Sequence, residues 1–270
     1  MTKVKEPSEA PVLPAQLDPF GKDIATEDLF AHNQLRELQE MLKKSIETRS
    51  GMLLTGPAGS GKTTGVRSVT DLLPANKYSV AYMGQDRDGT NVLRRVVSKL
   101  GLAAKRHHSH LSLQLSQWLL DNLEAGGKHM VLIVDESHLL SDEFLEDLRL
   151  MTNAEYDRKS PLSLVLVGQQ ALRLRLKAPD FEALYQRLRY RFRLEGLSQE
   201  ETVQYINRRL IVAGLTADLF TDESLQYIFQ VTEGLPRRIN NICSLALLKA
   251  KAAKRTSVEP ALLKELDDLD

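Results

Sequence analysis

The sequence predicts an α/β chain: a core built on a parallel sheet, followed by a small all-helical domain. Three observations carry this expectation. Short apolar runs alternate with amphipathic helical patterns from residue 28 to residue 193, the arrangement of successive βαβ units. One of those runs, MLLT at 52–55, passes directly into the glycine-rich bend GPAGSGKT at 56–63 and then into a helical pattern. After Ser198 the strand patterns stop and four helical segments follow one another.

Residues 1–17, rich in Pro, Glu, Lys and Ser, read as a flexible lead-in. Leu29, Leu35, Leu38, Met41, Leu42 and Ile46 recur at helical spacing over 28–48. Strand 52–55 comes next, then a helix over 63–73, a strand over 79–83, and helices over 90–100 and 113–124. The run MVLIV at 130–134 has the unbroken apolarity of a strand buried on both faces. A helix over 142–154, the strand LSLVLVG at 162–168, a helical stretch over 172–189 interrupted near Pro179, and a short fifth strand near 190–197 complete the core. Helices over 199–213, 222–232, 236–253 and 259–268 make the second domain. The expected division is therefore 1–17, 18–196 and 197–270.

The 270 residues are 42% hydrophobic, enough for a sizeable core. Lys+Arg and Asp+Glu are both 36, so no global basic excess points to nucleic acid, and only a local basic face remains open. The one cysteine, Cys243, rules out an internal disulfide and lies in an apolar helical run, read as packing. A reducing, cytoplasmic location is expected. No apolar run reaches the roughly 18 residues of a membrane span, and the N-terminus shows no signal core.

The bend fits the phosphate-loop pattern G-x-x-x-x-G-K-[ST] at Gly56, Gly61, Lys62 and Thr63. Its backbone from Gly56 through Pro57, Ala58, Gly59, Ser60 and Gly61 to Thr64 can aim N–H groups at phosphate oxygens, helped by the positive end of the following helix. Lys62 can reach the β- and γ-phosphates of ATP, and the Thr63 hydroxyl can ligate Mg²⁺. Asp135 ends a buried strand, where its carboxylate can hold the same ion. Glu136 follows it and can polarise a water for attack, which favours hydrolysis over transfer to a small molecule. Gln169 leaves the next strand, expected to neighbour that of Asp135, and can touch the γ-phosphate or the water. Arg187, Arg189, Arg191 and Arg193 alternate, so on an extended strand they share one face. Arg187 and Arg191 are candidate fingers toward a neighbouring subunit's phosphate, the alternative being a solvated basic edge. Arg237 and Arg238 open a helix after Gly234 and Pro236, where cations are unfavourable unless an anion compensates.

Together these elements resemble the AAA+ ATPases, with GPAGSGKT as Walker A, VLIVDE as Walker B, sensor 1 near Gln169 and sensor 2 near Arg237. Within them the chain is most similar to the ExeA/GspA-type ATPases and the TniB/TnsC/IstB helpers of transposons, through LDPFGKDIATEDLF, LVLVGQQALRLRL, YQRLRYRFRLEGLSQEET and GLPRRINNIC, over residues 17–265. Gln169 stands where many AAA+ proteins have Asn or Thr. The resemblance implies an AAA+ fold with a helical lid, ATP and Mg²⁺ as ligands, and ATP-dependent homo-oligomers in rings or filaments. Secretion-type members add a membrane span and a peptidoglycan-binding region. This sequence shows neither, which turns the expectation toward an ATPase that assembles on double-stranded DNA and recruits or activates a transposase. An ATPase acting on a protein partner and a helicase-loader-like protein are the alternatives.

A DNA surface is offered by Arg94, Arg95 and Lys99, with Arg87, Lys105 and Arg106 nearby; the alternative is an ordinary solvated helix face. His107, His108 and His110 read as a loop, since no Cys or carboxylate partner stands at ligand spacing.

Overall fold

Five strands, β1 (Met52–Thr55), β2 (Tyr78–Met83), β3 (His129–Val134), β4 (Leu162–Gly168) and β5 (Tyr190–Arg193), form one sheet in the order β2-β3-β4-β1-β5, every neighbouring pair parallel. This computed structural model describes residues 18–21, 24–84, 89–153 and 160–267. The 1–17 segment and Arg87 lie outside them.

Parallel strands need crossovers, and the helices supply them. They are α1 (Asn33–Glu47), α2 (Lys62–Thr70), α3 (Gly89–Lys99), α4 (His108–Glu124), α5 (Asp142–Met151), α6 (Gln170–Leu176) and α7 (Glu182–Arg187). Strand alternation sorts the core into two layers. Met130, Leu132 and Val134 of β3 join a cluster with Val96 of α3, Leu115 of α4 and Phe144 of α5. Val131 and Ile133 join the opposite cluster with Leu38 and Leu42 of α1 and Val66 of α2. Helices thus cover both faces, and β3 is buried throughout, as its unbroken apolarity required.

Two histidine readings change. His108 and His110 lie in the first turn of α4, not in a loop. His108 also has a carboxylate partner from far along the chain: its ring bonds Asp147 of α5 and the Thr90 hydroxyl of α3, while Ser112 donates to the same Asp147. The three helices are tied at one point.

The expected extended run of four arginines is also corrected. Leu188, fully buried, sits at φ −78°, ψ 70°, and Arg189 N donates to Arg187 O at 2.9 Å, an inverse γ-turn. The chain reverses there. Arg187 ends α7, while only Arg191 and Arg193 share the exposed face of β5.

The described residues divide into two units, 33–195 on the one hand and 196–267 together with those of 18–32 on the other. Residues 18–32, which the sequence places with the α/β core, lie with this second unit. Phe20 packs in the helical cluster beside Phe220, and Arg209 explains why: its guanidinium donates to Pro19 O at 2.7 Å and Gly21 O at 2.6 Å. The second unit contains α8 (Gln199–Val212), α9 (Asp222–Thr232), α10 (Pro236–Ala252) and α11 (Pro260–Asp267). Ser198 and Glu201 close a reciprocal capping box at the start of α8. Cys243 is buried in this core, and burial pushes its thiol pKa up.

Candidate functional site

Because β1, β3 and β4 run parallel and adjoin in register, their C-terminal ends deliver three loops to one edge of the sheet. In open parallel sheets that edge is where ligands bind. β1 delivers the glycine loop, β3 delivers Asp135 and Glu136, and β4 delivers Gln169.

Backbone demands explain the glycines of the loop. A Cβ on Gly56 would lie 2.2 Å from Leu194 O, so no side chain fits. Gly59 and Gly61 have φ of 81° and 92°, the left-handed region. α2 then begins at Lys62, whose ammonium curls over the loop and donates to Gly56 O at 3.0 Å and Pro57 O at 2.7 Å. Ser60 Oγ is buried there without a hydrogen-bond partner. A cation, a helix N-terminus and a buried hydroxyl lacking a partner suit a phosphate chain.

Thr63 Oγ1 donates to Asp135 Oδ2 at 2.6 Å, so the two expected Mg²⁺ ligands meet. A hydroxyl and a carboxylate are the oxygen donors a hard cation takes. Asp135 is held on both oxygens: Oδ1 accepts from Glu136 N at 2.8 Å, and Oδ2 also accepts from the Tyr82 hydroxyl at 2.8 Å. Sequence reasoning missed Tyr82. It faces outward near the end of β2, and only the β2–β3 pairing brings it to Asp135. Burial and the hydrogen bond to Asp135 push its phenol pKa far up, which keeps it a donor.

Glu136 occupies the left-handed region, at φ 52° and ψ 32°. Its side chain is part-exposed beyond the strand end, with Oε2 3.4 Å from Nδ1 of His138, a second residue the motif did not single out. Gln169 is exposed as the N-cap of α6, one residue after β4, and β4 does adjoin β3.

The arginines differ in their surroundings. Arg191 is turned back: Nη2 donates to Tyr185 O at 2.7 Å, and the guanidinium lies 3.9 Å from the Tyr185 ring centre. Arg187 is half-buried at the C-terminus of α7. Arg237 and Arg238 are exposed in the first turn of α10, after Pro236. Gly234 before them has φ 69°, and a Cβ there would lie 1.9 Å from Leu197 O. Leu197 N donates to Gly234 O at 2.8 Å, so this turn is fastened within the helical unit by its backbone.

Arg94, Arg95 and Lys99 are exposed on α3, whose other face buries Val92, Leu93, Val96 and Val97. Arg94 donates to Asn91 Oδ1 and to Arg106 O, both at 3.3 Å, so the backbone at 106 lies beside the start of α3. Among the described residues, no helix is long and apolar enough to cross a membrane.

Comparison with known proteins supports the nucleotide reading. A family profile described as an AAA domain matches residues 43–176. General secretion pathway protein A of Aeromonas hydrophila is 36% identical over 203 residues, 74% of this chain and 37% of that protein. The chain thus spans well under half the length of this curated relative. Among solved structures, Cdc6p of Pyrobaculum aerophilum superposes with a TM-score of 0.68 at 17% identity, over 90% of this chain and 68% of the other. The Aeropyrum pernix ORC1 protein, solved in complex with DNA, gives 0.68 at 15% identity, over 92% and 67%. At such identities these structures speak for the fold alone, which is that of the P-loop AAA+ ATPases.

Proposed function

The chain is an ATPase of the P-loop AAA+ fold, with an AAA domain over residues 43–176, and from that premise we propose that it uses ATP hydrolysis to time its hold on DNA as a regulator of transposition. The observation that carries the DNA part is the exposed basic side of α3, with Arg94, Arg95 and Lys99 beside the 105–106 pair. Assembly with ATP into homo-oligomers, recruitment of a transposase and a cytoplasmic location belong to the same reading.

The site's residues have distinct tasks in this reading. The loop from Gly56 to Thr64 and the Lys62 ammonium bind the phosphates. Thr63 and Asp135 hold Mg²⁺, with Tyr82 steadying the carboxylate. When bound there, the ion would offset negative charge that develops on the phosphates. Glu136 accepts the proton as water attacks the γ-phosphorus and the bond to the β–γ bridging oxygen breaks. Gln169 and a neighbour's Arg187 or Arg191 contact the γ-phosphate as charge shifts.

A second reading is favoured by one observation, the 36% identity to general secretion pathway protein A: the same ATPase cycle acting on a protein partner. The experiment is DNA retention after competitor is added, with ordinary ATP at low salt, for wild type and Glu136→Gln. Long-lived complexes of the variant support the first reading. Failure of both proteins to hold DNA moves the conclusion to the protein partner.

A further inference from the structure

We propose that His138 is the positioning residue for the base Glu136, holding one carboxylate oxygen so that the other faces the attacking water. Three observations lead there. First, His138 Nδ1 is buried and makes no hydrogen bond, although the ring is 15% exposed overall. A buried ring nitrogen without a partner is costly and rare. Second, an acidic oxygen within reach is Glu136 Oε2, at 3.4 Å, just beyond the usual N–H···O separation of about 2.9–3.0 Å. Third, the backbone between them is locked. Leu139 N donates to Glu136 O at 2.9 Å, and the buried Ser137 hydroxyl donates to Val134 O at 2.6 Å. Glu136 itself is held in the left-handed region. With both Cα atoms fixed, a small side-chain rotation closes the gap.

With its proton on Nδ1, the imidazole donates to Oε2 and accepts nothing from the reacting water. The Glu136 side chain is 42% exposed, so Oε1 stays open on the solvent side. This is the logic of a base oriented by a third group. It rests on reading Glu136 as the base.

The test uses the full chain and five variants, His138→Ala, His138→Asn, His138→Gln, Glu136→Gln and Glu136→Gln/His138→Ala, with kcat, affinity for a non-hydrolysable ATP analogue and Tm measured for each. A misplacement on the ångström scale costs up to about 10²-fold in rate, so His138→Ala should lose roughly 10–10²-fold in kcat while analogue affinity stays the same. Asn places its amide nitrogen where Nδ1 sits and should restore most of the rate. Gln places it where Nε2 sits and should not. In the Glu136→Gln background, removing His138 should cost nothing further, since groups acting as a unit are non-additive. Wild-type kcat in His138→Ala, equal rates for Asn and Ala, or a full additional loss in the double variant each overturn the proposal. A Glu136→Gln enzyme that turns over normally would instead remove the base reading beneath it.

Discussion

Thr63 Oγ1 donates to Asp135 Oδ2 at 2.6 Å, joining residues 72 apart in sequence across the end of the sheet. Two oxygens on two rigid elements, the first turn of α2 and the tip of β3, are thereby placed for one hard cation. The same first turn holds the Lys62 ammonium against Gly56 O and Pro57 O.

Lys62→Ala should therefore abolish nucleotide binding, whereas Asp135→Asn should weaken ATP with Mg²⁺ far more than ATP with a chelator. Equilibrium titration with a fluorescent ATP analogue measures both. Unchanged affinity in Lys62→Ala would sink the assignment of the loop.

Arg187 and Arg191 should separate. Arg191 is stacked on Tyr185 and bonded to its carbonyl, so Arg191→Ala should lower stability by about 1 kcal/mol. Arg187→Ala should keep ATP binding but lose hydrolysis, if its guanidinium crosses to a neighbour. Thermal melts beside turnover assays decide this. Normal turnover in both variants would place the finger at another arginine, with Arg189 next in line.

Stability should fall in acid because of His129. This side chain is buried at the start of β3, its Nε2 2.9 Å from Ser163 Oγ. Burial, and then the Arg49 charge, lower its pKa from 6.5 to about 4. The unfolded chain thus binds the extra proton between those values and the native chain does not. Stability is full above pH 6.5 and is lost as pH falls toward 4, by on the order of 2 kcal/mol once solvent screening of the ring is allowed for. Urea unfolding across that window should show a shallower loss for His129→Gln. Parallel curves for the two proteins would mean another group carries the acid sensitivity.

Local features were legible in the sequence because they depend on spacing. The apolar continuity of 130–134 marked a strand buried on both faces, and the helical patterns from 199 onward marked the helices of the second unit. The phosphate loop announced itself through glycines that the backbone needs at Gly56, Gly59 and Gly61. What stayed hidden depends on tertiary pairing. Tyr82 reaches Asp135 only because β2 adjoins β3. Phe20 joins the helical unit because Arg209 captures the carbonyls on either side of it. The turn at Leu188 carries no glycine or proline to announce it, so four alternating arginines read as one strand.

DNA contact should be dominated by phosphates. α3 offers exposed cations but no evident base-reading side chain, and Arg95 and Lys99 stand one turn apart on its outer side. Arg94 is partly engaged with Asn91 and Arg106 O. Each phosphate contact adds about 0.9 to the magnitude of the slope of log K against log salt. Replacing Arg94, Arg95 and Lys99 together by Ala should then reduce that slope by roughly 2–3 and weaken binding alike on unrelated sequences. Fluorescence anisotropy on two unrelated duplexes across a salt series measures this. A loss confined to one duplex would mean base readout. An unchanged slope would put the DNA on another face of the protein.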